Sequence, residues 1–241
     1  MNSRLKTQDS RLIFQDLGLI PYKNAWDYQE ALYSELMKKK LDGEKHFPGY
    51  LLFCEHPPVF TLGKSGSREN LLINEKMLAE RGIEFYHINR GGDITFHGPG
   101  QIVGYPILDL EQLGLGIKGY IEKLEGSVIR ALGDYGIVAG RLDGATGVWL
   151  EPESALNARK ICAIGVKAGR YITMHGFAFN VNTDLSYYQY INPCGFVDKG
   201  ITSMEKELGE KQDFEKVKSL LKEYLAENLH VALTSAAPHA I

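Results

Sequence analysis

The chain has 241 residues, of which 44% are hydrophobic and 24% charged, values expected of a globular protein with a substantial buried core. A formal net charge of −3 gives no basic field for nucleic acid. No apolar run reaches the roughly 18–20 residues that span a bilayer, and the polar first ten residues carry no secretory pattern, so no membrane association and a cytoplasmic location are expected.

The predicted elements run as follows. Residues 1–10 read as a loose end. Residues 11–16 read as a strand and 23–41 as a helix, with Trp26, Leu32 and Leu36 among polar neighbours. Strands punctuated by glycine follow at 49–55, 84–89, 93–95 and 102–108. Residues 117–135 place Ile121, Leu124, Val128, Leu132 and Tyr135 on one helical stripe. Strands are expected at 147–150, 161–168 and 175–181, then a helix at 213–229 with Asp213 as its N-cap, and a loose tail from Thr234. No repeat or linker marks a boundary, and the elements do not alternate as βαβ units. The expectation is a single α/β domain of α+β-like type over 1–241, ordered over about 11–233, with a mixed sheet flanked by helices.

The most unusual stretch is Arg90-Gly-Gly-Asp-Ile-Thr-Phe-His-Gly-Pro-Gly-Gln101. On a strand, Asp93, Thr95 and His97 share one face, while Ile94 and Phe96 take the other. Gly91 and Gly92 let a ligand approach the backbone, and Gly98-Pro99-Gly100 must turn. The stretch is either a ligand-binding surface or a tight hairpin whose polar face meets water. It is neither a Walker A loop nor a dinucleotide-binding fingerprint.

Lys160 leads directly into the apolar run Ile161–Val166, where a lysine either sits half-buried or snorkels to solvent. His175 and Gly176 lie on a returning strand, and either line a site or sit in the core. Three cysteines without CxxC spacing argue against a disulfide framework or zinc knuckle and leave room for a reactive thiol. Cys54 and Cys162 sit on apolar strands and read as core residues, although Cys162 shares a strand face with Lys160. Cys194 lies in Asn192-Pro-Cys-Gly195, a turn, where a thiol can be reached.

These stretches, with Glu55-His-Pro-Pro-Val-Phe-Thr-Leu-Gly63, Gly147-Val-Trp149, Thr173-Met-His-Gly-Phe-Ala-Phe-Asn180 and Gly200-Ile-Thr-Ser-Met204, occur in an order that resembles the lipoate-protein ligase B family. That family comprises the octanoyl-acyl carrier protein:protein octanoyltransferases. The resemblance covers roughly residues 50–205. It implies a catalytic pair, in which Cys194 carries an acyl thioester and Lys160 favours its thiolate. It implies an acyl pocket at Arg90, Gly91, Gly92, Asp93, Ile94, Thr95, Phe96 and His97, at Ala163, Ile164 and Gly165, and at Gly176, Phe177 and Ala178. The implied fold is the mixed α/β domain shared by lipoate and biotin ligases.

The implied reaction takes octanoyl from octanoyl-acyl carrier protein to a lysine of apo lipoyl domains. The implied acceptors are 2-oxoacid dehydrogenase complexes and the glycine cleavage H protein. It requires no metal, ATP or other cofactor. Arg90, Arg159, Lys160, Lys167 and Arg170 are candidates for a basic rim toward acidic partners. Cys162 departs from the family pattern, which has a small residue such as alanine there. Three other readings compete: an ATP-dependent ligase, a cysteine hydrolase using His97 or His175 as base, and a non-catalytic module that binds acyl carriers.

Overall fold

A computed structural model of the chain describes residues 11–192 and 199–236. Cys194, with Pro193 and Gly195, lies outside the described residues. The helical stripes of the sequence form three long helices, α1 (Tyr22–Leu41), α3 (Ile117–Gly133) and α5 (Phe214–Leu229), with a short α2 (Glu75–Glu80) and α4 (Met204–Leu208). α1 buries Tyr22, Ala25, Gln29, Leu32 and Leu36, an i, i+3, i+4 stripe, and carries Lys38, Lys39 and Lys40 in its last turn, where cations complement the helix dipole. Asp213 caps α5 by accepting from the Lys216 N–H at 3.1 Å.

The strands are β1 (Arg11–Leu19), β2 (Gly49–Glu55), β3 (Val59–Leu62), β4 (Glu84–His87), β5 (Ile94–His97) and β6 (Gln101–Ile107). They continue with β7 (Ala139–Leu142), β8 (Ala145–Leu150), β9 (Arg159–Gly169), β10 (Ile172–Asn180), β11 (Gly200–Ile201) and β12 (Ala232–Ser235). The main sheet runs β12-β1-β2-β6-β10-β9-β8-β7, with β11 beside β9, and mixes parallel and antiparallel pairs. A separate three-stranded sheet runs β4-β3-β5. One core joins the main sheet to α3 and α5 through Leu124, Val128, Leu221 and Phe179. A second packs Leu32 and Leu36 of α1 against Leu52 and Ile107. The small sheet has its own apolar cluster, which includes Phe60, Ile94 and Phe96.

Two expectations change. The turn at residues 98–100 does not close a hairpin; it carries the chain from β5 in the small sheet to β6 in the main sheet. The polar face of β5 is therefore roofed over by the main sheet, and Thr95 and His97 are buried. The tail expected to be loose from Thr234 contributes the edge strand β12, whose register pairs Thr234 with Ile13 on its parallel neighbour β1.

Candidate active site

A cavity of about 630 Å³ lies between segment 90–97 and strands β9 and β10, within the range of small-molecule sites. Arg90, Gly91, Gly92, Asp93, Ile94, Thr95 and His97 line it from one side. Ala163, Ile164, Gly165, Gly176, Phe177 and Ala178 line it from the other, with Lys160. Phe96 is the exception among the expected pocket residues. Its ring packs in the small-sheet cluster, stacked on Tyr187 at 4.6 Å between centroids, because alternate side chains of a strand leave on opposite faces. Tyr22, Tyr105, Ile117, Ile121, Asn180 and Tyr188 also line the cavity. Of these, Ile121 was legible as a stripe residue of α3, but its side chain faces the cavity instead of the core. The others arrive from elements far apart in sequence.

The walls meet closely because glycines face one another. Gly165 and Gly176 are cross-strand partners. A Cβ on Gly165 would stand 2.7 Å from the Gly91 carbonyl oxygen, and one on Gly176 would stand 2.1 Å from that of Gly104. Gly91 is fastened to this wall, since its N–H donates to Val166 O at 2.9 Å. That N–H is consequently spent and is not free to donate to an oxyanion.

Lys160 is buried, with its Nζ 4.7 Å from the centre of the Trp149 ring, a cation–π contact. Gly147 makes room for this seat. Its φ of 122° suits glycine, a Cβ there would meet Cys162 O at 2.5 Å, and the Lys160 stem passes 3.6 Å away. The Gly147-Val-Trp149 stretch therefore builds the lysine's surroundings, a role its sequence did not reveal. Below it, the buried carboxylate of Glu125 accepts from the Gly147 N–H at 3.0 Å and from Arg141 Nε at 2.7 Å.

The described cysteines are poor nucleophiles. Cys162 is fully enclosed in the main core, and burial, reinforced by the Glu125 charge, pushes its thiol up. Sharing a strand with Lys160 does not place it in the cavity, whose lining it does not join. Burial likewise pushes up the Cys54 thiol, which lies 3.5 Å from His56 Nε2. The chain on either side of Cys194 is anchored at the cavity rim. Asn192 N–H donates to Asn70 O at 2.8 Å, and Asn70 Nδ2 donates to the cavity residue Asp93 at 2.5 Å. Beyond the undescribed stretch, Ile201 pairs with Lys160, and Thr202 N–H donates to Lys160 O at 2.9 Å.

Both cavity histidines are weak bases. Burial, followed by the charges of His56 and Arg90, pushes His97 well below its ordinary value, and both ring nitrogens have partners, Gln101 Oε1 at 2.9 Å and Thr61 Oγ1 at 3.2 Å. Burial and the positive charges of Arg90 and Lys167 lower His175 to about 3. The expected basic rim is thinner than its sequence implies. Arg90 turns inward to Thr61 O at 2.7 Å, and Arg159 is held by Glu207 and Glu151. Lys167 stands 3.8 Å from Glu30.

The family model of the lipoyl protein ligase A/B catalytic domain matches residues 21–226. The chain belongs to this family. An octanoyltransferase of Parabacteroides distasonis is 58% identical over 214 residues, covering 89% of this chain and 96% of the relative. An octanoyltransferase of Bacteroides fragilis is 54% identical over 211 residues, covering 88% of this chain and 95% of the relative. Among solved structures, a bipartite lipoate protein ligase of Thermoplasma acidophilum, described with its E2 lipoyl domain, superposes with a TM-score of 0.69. It covers 96% of this chain and 88% of that one at 14% identity, a likeness of fold. Among the described residues, no helix is long and apolar enough to cross a membrane.

Proposed function

We propose that the protein is a cytoplasmic octanoyltransferase that moves octanoyl from acyl carrier protein to a lysine of apo lipoyl domains through a thioester on Cys194. The acceptors on this reading are the lipoyl domains of 2-oxoacid dehydrogenase complexes and the glycine cleavage H protein. The observation that carries it is the buried Lys160 beside a cavity walled by small residues, with both flanks of the Cys194 stretch anchored at its rim. The octanoyltransferases at 58% and 54% identity point the same way.

In the first step, the Cys194 thiolate attacks the carbonyl carbon of the donor thioester. A new C–S bond forms, the old one breaks, and the departing carrier thiolate takes up the proton that Cys194 lost. The Lys160 ammonium stabilises the thiolate by its charge. In the second step, the acceptor amine attacks, the Cys194 C–S bond breaks as the amide forms, and the proton shed by the amine returns to sulfur. The acyl tail lies along Ala163, Gly165, Gly176 and Ala178. Burying its six methylenes contributes on the order of 5 kcal/mol at about 0.8 kcal/mol each.

Incubation with octanoyl-acyl carrier protein, without ATP, tests this by intact mass and peptide mapping. The expected adduct sits on the Cys194 peptide, disappears when apo lipoyl domain is added, is absent from Cys194→Ser and persists in Cys162→Ala. Modification of the lipoyl domain only when ATP and free octanoate are supplied would replace this reading with a ligase.

A further inference from the structure

Behind the cavity, the buried side chains of Asn180, Gln101, His97, Thr61 and Arg90 form a chain of hydrogen bonds whose direction is fixed at every link. Gln101 Nε2 donates to the Phe96 carbonyl at 3.1 Å and to Asn180 Oδ1 at 2.9 Å. Asn180 Nδ2 donates to the Thr202 carbonyl at 3.0 Å. Backbone carbonyls only accept, so neither side-chain amide can be turned around. Gln101 Oε1 is therefore the acceptor that faces His97 Nδ1 at 2.9 Å, and Nδ1 carries the proton. His97 Nε2 is left as a lone pair and accepts the Thr61 hydroxyl at 3.2 Å. With its proton committed, Thr61 Oγ1 accepts from Arg90 Nη2 at 3.1 Å. Arg90 completes the chain by donating from Nη2 to Thr61 O at 2.7 Å and from Nη1 to Gly91 O at 3.0 Å.

We propose that Gln101 is a positioning residue: by holding His97 as the Nδ1–H tautomer it orients the Thr61 hydroxyl and so fixes Arg90 and the Gly91–Gly92 wall of the acyl cavity. Its kinetic consequence rests on the octanoyl-transfer reading, whereas the tautomer itself does not. The opposite tautomer would set the Nδ1 and Gln101 Oε1 lone pairs against each other and leave the Thr61 proton without its acceptor. An imidazolium would aim a second cation at the oxygen that Arg90 already uses. The groups facing His97 keep it neutral. Arg90 adds positive charge, the Tyr22 ring of α1 stacks on it at 5.8 Å, and the His56 ring after β2 stands 5.9 Å away. Among the described residues no carboxylate appears as its partner, and Gln101 supplies an acceptor without a charge.

The test is ¹⁵N-histidine NMR of the full chain, with the His97 signals assigned by their loss in His97→Asn, beside KM and kcat for octanoyl-acyl carrier protein. In the parent protein, His97 shows the Nδ1–H signature and does not titrate between about pH 5 and 8. In Gln101→Glu, the acceptor persists but carries charge, so His97 titrates within that window. KM then rises about tenfold below its new pKa and recovers above it, with kcat changed less. Should that variant fold poorly, Thr61→Val keeps the tautomer but raises KM about tenfold, and Thr61→Ser restores it. An Nε2–H signature in the parent protein, a parent-like pH profile in folded Gln101→Glu, or no change in KM in Thr61→Val would overturn the proposal. An intact Nδ1–H signature alongside a missing Cys194 adduct would fault the transfer reading and leave the tautomer assignment standing.

Discussion

The two walls of the cavity are built by opposite means. The β9–β10 wall owes its shape to atoms that are missing: Ala163, Gly165, Gly176 and Ala178 leave the volume open, and their backbones meet neighbours directly. The wall formed by residues 90–97 owes its shape to polar groups, each tied to a partner, with Arg90, Thr61, His97 and Gln101 all buried. Added bulk should therefore harm the first wall and lost partners the second.

The largest effect belongs to the first wall. Gly176→Val places a side chain where a Cβ already meets Gly104 O at 2.1 Å, an oxygen fixed in the sheet. Overpacking against backbone should cost about 3 kcal/mol or more, read as a lower urea midpoint. Next comes the second wall. Arg90→Met leaves the Thr61 and Gly91 carbonyls without their donor and should cost about 2 kcal/mol in stability, with a matching rise in KM for the octanoyl donor.

Ala178→Leu sharpens the comparison because it adds bulk where there is space. It should fold, but shorten the acyl channel by about two methylenes, a preference for hexanoyl over octanoyl on the order of tenfold at ~0.8 kcal/mol per methylene. Competition between the two acyl donors measures it.

Acid should strain the polar wall and its surroundings. Burial lowers His56 to about 4 and His175 to about 3, and holds His97 well below its ordinary value. Above the unfolded value near 6.5 both states are neutral, so stability is complete there. Between that value and the lowered ones, the unfolded chain binds protons that the fold refuses. Stability should thus fall as pH drops from about 6.5 toward 4, by up to ~1.4 kcal/mol per pH unit for each histidine. Thermal melts across that range check it, and His175→Gln should make the decline shallower. The smallest effect is Cys162→Ala, which should cost about 1 kcal/mol for a trimmed core side chain and leave transfer unchanged.

Much of this was legible in the sequence where local periodicity carried the information. The stripes of α1, α3 and α5 appear within a residue or two of their bounds, and Cys54 and Cys162 lie in the core as their apolar strands imply. Alternation along β5 also assigned Phe96 to the face away from His97. Including it in the pocket followed a contiguous motif, whereas its ring joins the small-sheet cluster and stacks on Tyr187. What stayed hidden was tertiary. Val59–Leu62 gives no hint that it will found a second sheet, and Ala232–Ser235 becomes a strand only because β1 offers it an edge. The seat of Lys160 depends on Gly147 and Trp149 arriving from β8 across a register shift, which no spacing in the sequence encodes.

The central claim, passage of the acyl group through Cys194, is tested most directly by a rapid-quench experiment with radiolabelled octanoyl-acyl carrier protein and apo lipoyl domain. The account predicts label on Cys194 before it appears on the lipoyl domain, with the adduct decaying at least as fast as product forms in steady state. Product that forms at an undiminished rate in Cys194→Ser, or before any label reaches Cys194, would contradict it.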